Sequence, residues 1–262
     1  MILHILGSCS GTEPMPGRHH TSVALESGGK LYFLDAGEHC GYSSHLLGID
    51  QLNLDSIFIS HTHMDHIGGL PHLLWNVRKL TTLSPENQQR MEGRKIRVFL
   101  PNLPVFDGIY QMLLGSEGNY ETVFSLESYP VADGVLLDEG ITVTALHNYH
   151  LGEPAPGEDW KSFSFRINAE GQQIFYSGDF RDLSEILPLA AGSDLLMLET
   201  GHHRACDLCR ELAESGVPFG NVLFFHHGRF ILQDETKELA LAREILGSRV
   251  TFAEDGTVVH LP

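Results

Sequence analysis

The segment Ser60-His61-Thr62-His63-Met64-Asp65-His66-Ile67-Gly68-Gly69 concentrates the groups that can do chemistry, with three imidazoles and a carboxylate inside six residues. Imidazole nitrogen combined with anionic oxygen is a donor mixture suited to zinc, manganese or iron. The H-x-H spacing lets His61 and His63 turn toward one ion from an extended segment. Asp65 and His66, at the following turn, can face a second. Gly68 and Gly69 let the chain turn tightly into the apolar run 70–79 (LPHLLWNVRK). A pair of divalent cations makes a shared water acidic enough to attack phosphorus or carbonyl carbon near neutral pH and stabilises the oxyanion that forms, so the chemistry expected is metal-assisted hydrolysis.

Such a cluster needs a scaffold that converges other ligands on it. Apolar runs bounded by turn residues predict strands at 1–6, 21–26, 30–35, 55–60, 95–100, 141–146, 161–168, 172–177, 194–199, 221–225 and 257–260. Helical spacing appears at about 68–80, 104–115, 182–191, 204–215 and 234–246, the last opening on Asp234 as an N-cap. Strands interleaved with helices in both halves imply a layered α/β protein with mixed sheets, and the likeness of the halves suggests a two-sheet duplication. His61, His150, Asp179 and His226 each lie just beyond the carboxyl end of an expected strand, the edge where layered α/β proteins build ligand sites. No linker or low-complexity tract interrupts the chain, so residues 1–262 are expected to form a single domain.

HTHMDH resembles the signature of the metallo-β-lactamase superfamily, and the likeness extends well beyond it. LGSCSGTEP with Arg18 and Thr21-Ser22, then LYFLDAGE and IFISHTHMDHIGGLPHLL, resemble the amino-terminal half of ribonuclease Z and its phosphodiesterase relatives. YSGD at 176–179 and LFFHHGR at 223–229 resemble the later motifs, whereas 80–140 shows no match. The resemblance implies a four-layer αββα sandwich of two mixed β-sheets flanked by helices. It also implies two divalent ions, zinc foremost with manganese or iron as alternatives: one on His61, His63 and His150, the other on Asp65, His66 and His226, with Asp179 bridging. Spacing favours His150 over His147, and the position directly after a strand favours His226 over His227. Asp35 is implied as a carboxylate that orients the metal-site groups without binding metal. Asp65 and Asp179 would hold the nucleophile, with Asp65 a catalytic residue. His202, a better match than His203, is the candidate acid for the leaving oxygen; His19 and His20 either line the pocket or are solvated.

Charge bears on the substrate. The 262 residues carry 34 acidic and 17 basic side chains, a formal net charge of −17 that repels polyanions. Glu153, Glu158 and Asp159, in the loop after His150, would add negative charge near the entrance, and no Gly/basic arm for gripping tRNA is visible. A small phosphodiester or nucleotide is therefore preferred as substrate, with nucleic acid disfavoured. A tRNA 3′-processing endoribonuclease, an acyl hydrolase acting on a thioester, lactone or β-lactam, and a non-catalytic metal-binding protein are the competing readings. The opening apolar stretch is too short for a signal peptide, and no run approaches the roughly 18 apolar residues of a membrane span. Cys9, Cys40, Cys206 and Cys209 lack disulfide-framework spacing, and Cys206-x-x-Cys209 reads as buried helix cysteines, so a cytoplasmic protein is expected. A homodimer is compatible with all of this.

Overall fold

Period-two alternation along the strands sorts the apolar side chains into layers in the computed structural model, which describes residues 1–117 and 123–262. In β3 (Lys30–Ala36), Leu31 and Phe33 pack with the helices of the first half, while Tyr32 and Leu34 pack toward the second sheet. In the second half Leu196 and Leu198 face helices while Leu195 and Met197 face inward, and Val222 and Phe224 alternate likewise with Leu223 and Phe225. These strands are apolar on both faces because each sheet is covered on both.

The first sheet runs in the order β14 (Val258–His260), β1 (Ile2–Gly7), β2 (Ser22–Ser27), β3, β4 (Leu54–Phe58), β5 (Lys95–Leu100) and β6 (Ser125–Pro130). The second runs β13 (Val250–Phe252), β12 (Asn221–His227), β11 (Leu195–Thr200), β10 (Gln172–Tyr176), β9 (Phe163–Ala169), β8 (Ile141–His147) and β7 (Gly134–Glu139). In the first sheet three antiparallel pairings, β14 to β3, are followed by three parallel ones, β3 to β6. The second repeats that succession from β7 through β10 to β13. Helices including Leu70–Thr81 and Leu103–Glu117 cover the outer face of the first sheet, and Leu183–Ala190, Ala205–Ser215 and Glu235–Leu246 cover that of the second. The arrangement is the expected four-layer αββα sandwich.

The eleven strands expected from the sequence lie within two residues of their observed bounds. β6, β7 and β13 were not expected. β6 (SLESYP) and β7 (GVLLDE) are half-solvated edge strands with weak apolar patterning, and β13 has three residues. The helices Cys40–Leu46, Pro85–Met91 and Arg229–Gln233 also went unread, being too short to show a period. Asp234 caps its helix as expected, accepting from the Lys237 amide at 3.1 Å. Cys206 and Cys209 lie buried and unpaired in the helix Ala205–Ser215. Among the described residues no helix is long and apolar enough to cross a membrane.

Candidate metal centre

Parallel pairing makes the strand ends converge. β3 and β4 run parallel, as do β10, β11 and β12, so Asp35, His61, Asp179, Gly201 and His226 emerge on one edge of their sheets. β8 is antiparallel to β9, which is antiparallel to β10, so β8 also ends on that edge and delivers the loop bearing His150. Two of these positions hold strained backbone: Asp35 and His226 have φ of 57° and 50°, a region non-glycine residues seldom occupy.

Asp35 is fully buried, and its carboxylate organises the first half of the cluster. Oδ1 accepts from the Ser60 amide at 2.7 Å; Oδ2 accepts from Ser60 Oγ at 2.8 Å, His66 Nδ1 at 2.7 Å and Tyr176 OH at 2.8 Å. Because His66 donates from Nδ1, the neutral ring leaves its Nε2 as a lone-pair donor facing inward. Ser60 Oγ, its own proton committed to Asp35, accepts from His61 Nδ1 at 3.1 Å, so Nε2 of His61 is likewise free. One buried carboxylate thereby sets the tautomer of two imidazoles.

The seven candidate ligands come together in two groups. His61, His63 and His150 form one, with His61 Nε2 and His63 Nδ1 at 3.0 Å and His63 Nδ1 and His150 Nε2 at 3.5 Å. Asp65, His66 and His226 form the other, with the Nε2 atoms of His66 and His226 at 3.1 Å and His226 Nε2 to Asp65 Oδ2 at 3.3 Å. Asp179 stands between them. Its Oδ2 lies 3.8 Å from His61 Nε2 and 3.6 Å from His150 Nε2, while its Oδ1 lies 3.3 Å from Nε2 of both His66 and His226. Each carboxylate oxygen thus serves one group.

The electrostatics of this packing call for cations. Burial opposes ionisation of Asp179, yet the His226 and His66 charges hold its carboxyl well below the usual carboxylate range. Asp65 is likewise held low, the His226 and His66 contacts overcoming its burial. In return, against burial, Asp179 and Asp35 push His66 up, and Asp179, Asp65 and Glu199 push His226 up to about 9. Burial drives His61 and His150 the opposite way, lowering His61 and bringing His150 to about 4. Nitrogen faces nitrogen within hydrogen-bond distance three times, and the buried Asp179 Oδ1 has no hydrogen-bond donor. Divalent ions held by the two groups would relieve both mismatches, so the residues fit a two-metal centre.

The alternatives raised by the sequence fall elsewhere. His147 points away, its Nδ1 donating to Asp133 at 2.6 Å and its ring stacked on Trp160 at 3.9 Å. His227 is buried against Thr200 Oγ1 and donates to the Ala253 carbonyl at 3.0 Å; burial brings it down to about 3. His203 donates to the Phe180 carbonyl and stacks on that ring. His19 pairs with Asp255 at 2.8 Å, and His20 lies 3.0 Å from the Thr12 carbonyl. His202 lies beside the cluster, its Nδ1 donating to Glu199 Oε1 at 3.1 Å and standing 3.7 Å from Asp179 Oδ2. The hydrogen bond to Glu199 pushes the His202 imidazole up.

Glu199 is a site residue that sequence reasoning missed. It is fully buried, accepts from the Gly201 and His202 amides at 2.6 and 2.9 Å, and reaches His226 Nδ1 at 3.6 Å. Burial opposes its ionisation, but its His202 and His226 partners hold the carboxyl below the usual range. A charged residue at the end of the apolar run DLLMLET was the available signal. Close approach also demands small residues here: a Cβ on Gly201 would lie 2.5 Å from His226 Nδ1, and one on Gly11 would lie 2.9 Å from Asp65 Oδ2. A cavity of about 370 Å³ opens over Asp65, Asp179, His202 and His226, and Ser10, Gly11, Thr12, Arg229 and Phe230 contribute to its walls.

Comparison with known proteins places this architecture. The family model described as "Anti-Pycsar protein Apyc1" matches residues 1–198. A ribonuclease Z of Treponema pallidum (strain Nichols) is 51% identical over 70 residues, 27% of this chain and 22% of that protein. The chain thus spans about a fifth of the length of that curated relative. Among solved structures, the metallo-β-lactamase fold protein YhfI from Bacillus subtilis superposes with a TM-score of 0.75 at 20% identity, covering 98% of each chain. The short form of human tRNase Z (ELAC1) gives a TM-score of 0.69 at 20% identity, covering 100% of each.

Proposed function

Since the chain belongs to the metallo-β-lactamase superfamily, within the family of the anti-Pycsar protein Apyc1, we propose that it is a two-metal hydrolase acting on a small phosphodiester or nucleotide. The observation that carries this reading is the placement of Asp179, whose two oxygens face two separate ligand groups at the floor of an open cavity. His61, His63 and His150 would hold one divalent ion and Asp65, His66 and His226 the other, with Asp179 shared. When bound, such a pair supplies positive charge that makes a water nucleophilic near neutral pH and offsets charge developing on the phosphoryl oxygens.

The chain's own groups do the rest. Asp65 lines the cavity as a carboxylate and would accept a hydrogen bond from the attacking water. His202 donates from Nδ1 to Glu199, so in the imidazolium form its Nε2–H is the proton available to the leaving oxygen. Glu199, by accepting from Nδ1 and favouring the charged form of that ring, would keep the acid oriented. The four buried, unpaired cysteines support a reducing, cytoplasmic setting.

Substrate size follows from electrostatics. Glu153, Glu158 and Asp159 are exposed on the loop that follows His150. With a net charge of −17 over the chain, repulsion acting over a Debye length of about 8 Å penalises a long phosphate backbone more than one or two phosphates held at the site. The relatives named ribonuclease Z favour the second reading, 3′ processing of tRNA. Side-by-side kinetics on a 2′,3′-cyclic nucleotide and a 3′-extended tRNA at low and moderate salt decide between them. The expected result is a much higher kcat/KM on the cyclic nucleotide; efficient tRNA cleavage at moderate salt would overturn it.

A further inference from the structure

The cavity has one wall that the hydrolytic groups do not explain. Phe230 lines it while remaining 64% exposed, and it is the only phenyl or indole ring among the described residues of the lining. A single exposed phenylalanine is ordinary on a protein surface. This one sits four residues after His226, on the helix Arg229–Gln233 that follows β12 after Gly228, so the chain holds it close to the ligand cluster. Its ring is backed by the Arg204 guanidinium, 5.9 Å from the centroid, and Arg204 is anchored by Glu238 at 2.5 Å. The neighbouring Arg229 is turned toward Glu13 in an exposed ion pair. What remains is a flat apolar surface held at the rim, with polar groups of Ser10 and Thr12 among the rest of the lining.

We propose that Phe230 is the stacking platform for the planar, non-phosphate part of the substrate, a nucleobase. This rests on the phosphodiesterase reading and adds the residue that selects a nucleotide over a base-free phosphodiester. Every base has a π-face, so such a platform confers a general preference for nucleotides with little discrimination among bases.

The test compares adenosine 5′-monophosphate with ribose 5-phosphate, which carries the same phosphate without a base, by calorimetric titration of the zinc-loaded protein. The wild type is expected to bind the nucleotide about tenfold more tightly, the scale of one base–aromatic stack. Phe230→Ala should bring the two affinities together, and Phe230→Tyr should keep them apart. In parallel, Phe230→Ala should raise KM for 2′,3′-cyclic AMP about tenfold with kcat little changed, because the ring touches no reacting atom. Equal affinities in the wild type, or an undiminished preference in Phe230→Ala, would overturn the proposal. A preserved nucleotide preference without any hydrolysis would support the platform and sink the phosphodiesterase reading instead.

Discussion

Replacing Asp35 with asparagine should damage the proposed metal centre, although Asp35 is not among its proposed ligands. The carboxylate accepts four hydrogen bonds in full burial, three of them at Oδ2. Asparagine keeps one acceptor oxygen, sufficient for the Ser60 amide, and puts an NH₂ where Oδ2 stood. The Ser60 and Tyr176 hydroxyls can rotate to accept from it. His66 can accommodate it only by releasing its Nδ1 proton, and the Nε2 lone pair that faces the cluster is then lost to an N–H. Ser60 Oγ, no longer committed to donating to Asp35, can also donate to His61 Nδ1 and reverse that tautomer. Reorganising one buried polar contact costs about 1–3 kcal/mol of folding stability. Loss of a group that orients metal ligands costs roughly 10–100-fold in metal affinity, or about 1.4–2.7 kcal/mol. Guanidinium unfolding of the metal-free protein reads the first quantity, and chelator-competition titration with zinc reads the second. Wild-type zinc affinity in Asp35→Asn would refute the orienting role.

Other perturbations separate the remaining roles. Asp65→Ala should fold normally, since the side chain lines the cavity and stays outside the apolar core, and should lose more than about tenfold in kcat/KM on any phosphodiester, at least roughly 1.4 kcal/mol of barrier. His202→Ala should slow substrates with poor leaving groups far more than bis(p-nitrophenyl) phosphate, because a good leaving group scarcely needs an acid; equal losses would reassign His202 to structure. Gly201→Ala places a methyl group 2.5 Å from His226 Nδ1, so zinc binding should weaken while the thermal transition persists; unchanged affinity would show that the loop yields freely.

What could be read in advance divides along physical lines. Strands buried on both faces advertise themselves as apolar runs, so β3, β4, β11 and β12, which carry or precede site residues, were legible, as was the edge they share. Solvated edge strands such as β6 and β7 alternate weakly and were not. The cluster around His61 was legible because its donors are adjacent in sequence. The choices of His150 over His147 and His226 over His227 rested on three residues of spacing and on one, and the structure brings His150 and His226 into the cluster and turns His147 and His227 away. Glu199 and Phe230 were not seen. A lone buried glutamate and a lone exposed phenylalanine carry no local pattern, and their positions acquire meaning only when β11 and β12 lie side by side.

Metal stoichiometry tests the proposed two-metal centre most directly. Protein stripped with chelator, reloaded with zinc and measured by elemental analysis should saturate at about two ions per chain, because imidazole and carboxylate donors are too many for one tetrahedral ion. Asp179→Ala, which removes the carboxylate facing both groups, should weaken both sites together. Saturation of the wild type at a single ion, or two ions retained by Asp179→Ala at undiminished affinity, would contradict the shared-carboxylate centre.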